Sequence, residues 1–375
     1  MKKMRKKICM VTTSEIFHDS RILNEAKTLA KNYQVTILAK KYPGQVRKKM
    51  PFSIKLIPYW RLPWFQLDIF SSFLSLIRAA FRENPDIYHA HDLDGLLCAF
   101  AAALLKGKIL IYDSHELWSA TYPFANLRGL RFLLPPLEKI LIWRVRAGLT
   151  VNQSLADYLS KKYHRHFLAL HNAASLSEKR NSTKIQLNLR QKFPGKKIIL
   201  HLGAADEGRG MEEIIQAAQY LPEKFILVFV GGGKTENEAK NLALKLGLKN
   251  IHFFPAVPPE EILPTIAQAD LGLALTQKVS LSYYLSLPNK IFQYLSAGLP
   301  ILGSNFPEFK KVIKAHGLGE TVDPSRPKLI AKKIQAMLNP QKQKIYHQRL
   351  ARAFQDHYNW DIEGQKLLKF YQSII

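Results

Sequence analysis

Short apolar runs alternate with segments of helical period along the whole chain, the pattern of parallel βαβ units. In the first half, KICMVTT, QVTILAK and FSIKLIP predict strands, with amphipathic helices over Ser20 to Lys31 and Asp68 to Phe81. DIYHAH, KILIYDSH and GLTVNQ predict further strands, with helices over Leu93 to Leu105, Pro136 to Arg146 and Ser154 to Lys162. Residues 175–196 are polar and poor in pattern, so the domain boundary is placed there. The alternation then restarts: KIILHLG, KFILVFVGGG, NIHFFPAV, ADLGLAL and LPILGSN predict strands, and helices begin at Gly210, Lys234, Pro259 and Pro288. Trp360 to Ile375 predicts a closing amphipathic helix. The expected fold class is α/β, two doubly wound domains facing each other.

Ligands of doubly wound sheets bind outside the carboxyl ends of the strands, so the residues just after each strand carry the candidate chemistry. After KIILHLG comes AADEGRG. There Gly203 and Gly208 allow close backbone approach, and Arg209 adds charge beside an anion-binding helix start. A second cluster, Gly231, Gly232 and Gly233, follows FILVFV. Two such turns in one sheet favour a phosphate-bearing nucleotide. In LPNKIFQYLSAG, Pro288 suits the first helical position, which leaves the N–H groups of Asn289, Lys290 and Ile291 free for an anion. Lys290 stands against the helix dipole there, which also points to an anionic ligand.

In the first half, His91, Asp92 and Asp94 end one strand. Asp92-Leu-Asp94 superficially matches a metal-binding DxD, but Asp92 reads better as a cap for a helix beginning at Leu93, and no metal is expected. Asp113, His115 and Glu116 cluster at the next strand end, where a histidine beside a carboxylate serves as general base or orients a hydroxyl. Asp19 and Arg21 follow the first strand; a local helix-start ion pair is the competing reading.

Composition narrows the partners. At roughly 100–200 residues per domain, a chain of 375 residues with 47% apolar content suits two domains. Lys+Arg less Asp+Glu is 55 − 29 = +26, which favours nucleic acid, an anionic membrane or phosphorylated ligands. The basic residues are spread (Lys2 to Lys7, Lys40 to Lys49, Lys328 to Arg352) and no nucleic-acid motif is present, so nucleic acid is not expected. Cys9 and Cys98 fall in apolar runs and read as buried free thiols. The apolar stretch after MKKMRKK is too short for a signal peptide, and Gly95 to Leu105 is too short to span a bilayer. A cytoplasmic location is expected.

Taken together, DSRILNEAKTLA, PDIYHAHD, ILIYDSHELW, HLGAADEGRG, FVGGG and LPNKIFQYLSAGLPILGS resemble the GT-B glycosyltransferases, most of all the retaining glycosyltransferase family 4. The resemblance implies two Rossmann-like domains across a cleft. Residues 1–180, with a C-terminal helix over 358–375 crossing back, would form the acceptor side, and 181–357 the nucleotide-sugar domain. It implies transfer of a sugar, with retention, from a nucleotide-diphosphate sugar to a glycan or lipid-linked acceptor, in cell-surface polysaccharide synthesis. Arg209 matches the basic residue that holds the donor diphosphate, and Pro288, Asn289 and Lys290 the helix start that cradles it. His115 falls where the family keeps a histidine near the transferred sugar, and Gln293 where a glutamate bonds the donor ribose. Two departures stand out: the family's pair of glutamates is replaced by Leu285 and Gln293, and a second basic residue of the phosphate loop by Ala204. With Arg209 and Lys290 meeting the leaving charge, no cofactor and no metal is implied. The rival readings are a nucleotide-sugar epimerase and a non-catalytic relative acting as a partner subunit.

A last expectation concerns an anionic membrane surface. Tyr59 to Arg82 holds two tryptophans, four phenylalanines and three arginines, near the basic stretch Lys40 to Lys49. Such a segment suits reversible, peripheral docking on the inner face of the cell membrane. The competing reading places Phe70, Phe73, Leu74 and Ile77 in the core.

Overall fold

Seven parallel strands form the first sheet among the described residues: β1 (Lys7–Thr12), β2 (Gln34–Lys40), β3 (Ser53–Ile57), β4 (Ile87–His91), β5 (Ile109–Ser114), β6 (Ala147–Thr150) and β7 (Phe167–Ala169). Their order is β3-β2-β1-β4-β5-β6-β7. The computed structural model describes residues 5–45, 49–59, 65–120, 130–176 and 186–375. Contacts divide the chain into one unit of Met1–Asn172 with Ile362–Ile375, and a second of Ala173–Asp361. The closing helix, Trp360–Ile374, therefore belongs for most of its length to the first unit.

Central strands such as β1 and β4 are buried on both faces because helices cover a parallel sheet on both sides. The chain leaves β1 toward β2 and β3, then returns to β4 on β1's other flank. That reversal opens a crevice at the carboxyl ends of β1 and β4. The second sheet repeats the plan with β8 (Lys197–Leu202), β9 (Phe225–Val230), β10 (Ile251–Phe254), β11 (Leu271–Ala274), β12 (Ile301–Ser304) and β13 (Gly319–Val322), ordered β10-β9-β8-β11-β12-β13. Its switch point lies between β8 and β11.

Several elements differ from expectation. The helix expected over Pro136 to Arg146 runs over Leu130–Trp143, with Pro135 and Pro136 inside it. Two prolines forgo hydrogen bonds, yet Leu141 and Ile142 are buried and carry the helix through. The helix expected at Pro259 splits into a 3-10 turn, Pro259–Glu261, and Ile262–Ile266. β7 and β13 were too short to stand out as periodic runs. Part of the polar boundary segment, 177–185, lies outside the described residues, as do Arg47, Lys48, Trp60, Arg61 and Trp64.

Candidate functional site

In the first unit, the strand ends of β1, β4 and β5 gather a buried charge network. Asp19 precedes the helix Ser20–Leu29 and accepts from Ile22 N at 3.1 Å, so its carboxylate is spent on its own helix. Arg21 does not pair with it. The guanidinium donates from Nε and Nη2 to both oxygens of Asp113, each at 2.8 Å, and from Nη1 to the Leu170 carbonyl at 2.6 Å. Burial raises the Asp113 carboxyl, but Arg21 and His115 outweigh it and hold the group well below the usual carboxylate range.

His115 is clamped at both ring nitrogens. Nε2 lies 3.2 Å from Asp113 Oδ2 and Nδ1 lies 3.3 Å from Asp92 Oδ2, while its backbone N–H donates to Asp92 Oδ1 at 2.9 Å. Burial opposes the charge, and Asp92 and Asp113 overcome it, pushing the imidazole up to about 10. A ring held between two carboxylates reads as a fixed cation, the alternative to the general-base role.

Asp92 does not cap the next helix. The helix spans Asp92–Leu105, and Asp92 turns its carboxylate to His115 instead of to a helix amide. It holds φ 56°, a left-handed conformation for a residue with a side chain, at the end of β4. Such strain concentrates at functional sites. Asp94 accepts from Gly95 N at 2.7 Å and from Thr13 Oγ1. Burial, then Asp92, push it up to about 6. Both acids of the DxD-like triplet thus already have protein donors. The Glu116 carbonyl accepts from Ser114 Oγ at 2.7 Å.

Glu25, His89, His91 and Asp113 bring ligand-type atoms within 4.8 Å of one another. Arg21 is already there, with Nε 3.1 Å from Glu25 Oε1 and 2.8 Å from Asp113 Oδ2. A guanidinium in that place supplies the cation, so the set fits an ion-pair network better than a metal centre. His91 Nδ1 lies 3.4 Å from Asp113 Oδ2, and Tyr371 of the closing helix meets His89 Nδ1 at 2.7 Å.

In the second unit, the two glycine turns pack on each other. A Cβ at Gly231 would lie 2.3 Å from the Gly203 carbonyl oxygen, and one at Gly233 2.2 Å from that of Ala205. Only Gly232 has room, its nearest neighbour being Glu236 Oε2 at 3.5 Å. Gly233 thus makes space for the other loop. Gly208 lets the Tyr283 ring approach (a Cβ would lie 2.6 Å from it), and the Arg209 guanidinium stacks on that ring at 5.0 Å.

The helix Lys290–Ser296 is held to the sheet by Tyr294, whose hydroxyl accepts from Leu202 N at 3.0 Å and whose ring packs on Gly272. Pro288 lies before this helix rather than at its first position, with Asn289 between. The Ile291 N–H, expected free, donates to the Pro288 carbonyl at 3.0 Å. Gln293 stands one turn inside the helix, half-buried. Lys290 Nζ lies over Gly203, 3.8 Å from where a Cβ would be. Burial, then Arg209, push the ammonium down to about 7. Its donor contact is His201 Nε2 at 3.1 Å. Sequence reasoning passed over His201; the available signal was a polar residue near the carboxyl end of an otherwise apolar strand.

Residues 20–173 match the model of a family described as Glycosyltransferase Family 4, and residues 183–354 that of Glycosyl transferases group 1. Over 106 residues the chain is 32% identical to WcaI of Escherichia coli K12, a protein whose name places it in colanic acid biosynthesis, covering 28% of this chain and 25% of that one. The chain spans a quarter and a half of the lengths of the two curated relatives it matches. Among solved structures, sucrose-phosphate synthase of Thermosynechococcus elongatus superposes with a TM-score of 0.81 at 14% identity, covering 99% of each chain. Anabaena HepE, solved with UDP and glucose, gives 0.77 at 13% identity, covering 98% of this chain and 100% of the other. Those two likenesses establish the two-domain α/β fold of GT-B type.

Proposed function

The chain belongs to the group 1 glycosyltransferases, and from that premise we propose that it moves a sugar from a nucleotide-diphosphate sugar to a glycan or lipid-linked acceptor, with retention, in cell-surface polysaccharide synthesis. The observation that carries this reading is the placement of two cations, Arg209 and Lys290, at a loop whose glycines bring backbone close to Lys290 Nζ. As the glycosidic bond to the diphosphate breaks, negative charge grows on the leaving oxygens. Fixed cations that need no reorganisation stabilise that charge more than they stabilise the bound donor. The protein's own cations thus take the part a metal plays elsewhere. Gln293 would offer its amide to the donor ribose. In the first unit, His115 would act as an immobile cation for electron-rich oxygens of the sugar, with Asp19, Arg21, His91, Asp92 and Glu116 shaping the acceptor side.

The acceptor reading is supported by apolar surface on the first unit. On the helix Leu130–Trp143, Phe132, Leu133, Ile140 and Trp143 are 67%, 65%, 61% and 68% exposed, and Phe70 on the helix Phe65–Arg82 is 67% exposed. The core reading of Phe70 and Leu74 is thereby corrected: both are exposed, Phe73 and Ile77 are half-buried, and Leu76 and Ala80 form the buried face. A charge of +26 complements anionic lipid. No helix among the described residues is long and apolar enough to cross a membrane, so docking would be peripheral. The deciding experiment is release of sugar or nucleotide diphosphate from a panel of nucleotide sugars, with and without polyprenyl-linked acceptors. Turnover of any donor that disappears in Arg209→Ala supports the reading, and no binding or turnover across the panel rejects it.

A further inference from the structure

His201 sits on β8, 2% exposed, in a strand otherwise made of apolar residues after Lys197. A buried imidazole is retained at a cost unless both of its nitrogens find partners. Lys290 serves one of them: Nζ lies 3.1 Å from Nε2. An ammonium can only donate, so Nε2 keeps its lone pair and the ring proton sits on the other nitrogen. The Arg209 backbone lies beside the ring. The ring therefore ties β8 to the first turn of the helix Lys290–Ser296, 89 residues away in sequence.

We infer that His201 is a positioning residue of the donor site, a neutral imidazole that holds the Lys290 ammonium over Gly203, where it meets the diphosphate. This rests on the donor-site reading of Arg209 and Lys290. Without the acceptor at Nε2, the lysine stem would be free to swing to solvent, driven by repulsion from Arg209. The ring also packs beside Phe229, centroids 5.5 Å apart, which removes it from water and keeps it uncharged. A charged ring would repel Lys290 and Arg209; burial and those two neighbours hold its protonation well below the usual histidine range.

The test is calorimetric titration of the full chain with inorganic pyrophosphate, free of divalent metal, from pH 6 to 9, on wild type, His201→Leu, His201→Gln, Lys290→Met and Arg209→Ala. Leucine suits a buried strand and keeps the volume; glutamine restores an acceptor oxygen. Losing a hydrogen bond to a charged group is worth roughly tenfold to hundredfold in affinity. His201→Leu is expected to weaken pyrophosphate by about tenfold or more, and His201→Gln to stay within about threefold of wild type. Wild-type binding, normalised to Lys290→Met, should weaken as pH rises through about 7, because the ammonium loses its proton there. In His201→Leu that fall should move to lower pH, because an ammonium without its acceptor is easier to deprotonate. Wild-type affinity and an unmoved pH midpoint in His201→Leu would overturn the positioning role while leaving the donor site intact. Pyrophosphate binding that ignores Arg209→Ala and Lys290→Met would overturn the donor site and this inference with it. If His201→Leu does not fold, His201→Gln and His201→Asn replace it: the shorter amide cannot reach Lys290, so equal binding by the two would reject the role.

Discussion

Arg21 and Asp113, 92 residues apart, form a buried two-pronged ion pair with both N···O distances at 2.8 Å. The pair ties the first helix of the chain to the end of β5, and through Asp113 Oδ2 it fixes His115. Removing one partner leaves a buried charge without compensation, at a cost of about 3–5 kcal/mol. Arg21→Met is therefore expected to lower the unfolding free energy by that order. Arg21→Met combined with Asp113→Asn should cost less than the two single variants added together. Chemical denaturation of the four proteins measures the coupling, and strict additivity would show that the pair is not an energetic unit.

Arg209→Ala and Lys290→Ala should each reduce kcat by on the order of 10²–10³ while the fold survives. On the proposed reading both side chains stabilise charge on the leaving diphosphate. Steady-state kinetics with the donor found by the panel, alongside a thermal melt, checks this. Near-normal kcat/KM in both variants would place the diphosphate elsewhere.

His115 carries a pH signature. Its folded-state pKa, about 10, exceeds the unfolded value near 6.5, so its contribution to stability is complete below about 6.5 and is lost as pH rises toward 10. Wild type should lose stability between pH 7 and 10 more steeply than His115→Gln, which cannot titrate. Parallel stability curves for the two would contradict the clamped, charged ring. His115→Ala should also lower kcat more than it weakens nucleotide binding, because the histidine belongs to the first unit and the proposed nucleotide site to the second.

Adjacent glycines should behave oppositely. Gly233→Ala places a methyl group 2.2 Å from the Ala205 carbonyl, whereas Gly232→Ala meets nothing nearer than 3.5 Å. Overpacking of this kind costs about 1–3 kcal/mol. Gly233→Ala should thus destabilise the second unit and raise the donor KM, and Gly232→Ala should unfold like wild type. Equal effects would mean that the two loops do not pack as described.

On membranes, Ile140→Asp with Trp143→Asp should reduce co-sedimentation with anionic vesicles at low salt by about tenfold or more, since two buried aromatic or aliphatic side chains contribute at least 1.5 kcal/mol each. Both residues are exposed, so the fold should persist. Wild-type binding should also fall as salt screens the basic surface. Unchanged sedimentation of the double variant would move the docking surface away from the helix Leu130–Trp143.

The two sheets and most of their strands were legible in the chain itself, because a parallel strand covered on both faces must read as a short apolar run, and KIILHL or FILVFV can hardly do otherwise. The loops bearing Arg209 and the Gly231–Gly233 cluster were legible for a related reason: glycine after a buried strand marks backbone that no Cβ would permit. Tertiary structure alone decided which distant groups meet. Strand order, β1 beside β4 and β8 beside β11, brings Arg21 to Asp113 and Lys290 to His201. Hydrophobic periodicity carries no information about that order. The same placement set what those groups are. Two carboxylates favour the charged form of His115, burial beside Lys290 and Arg209 favours the neutral form of His201, and a neighbouring loop fills the space beside Gly233, because protonation and steric room depend on surroundings that local sequence does not contain.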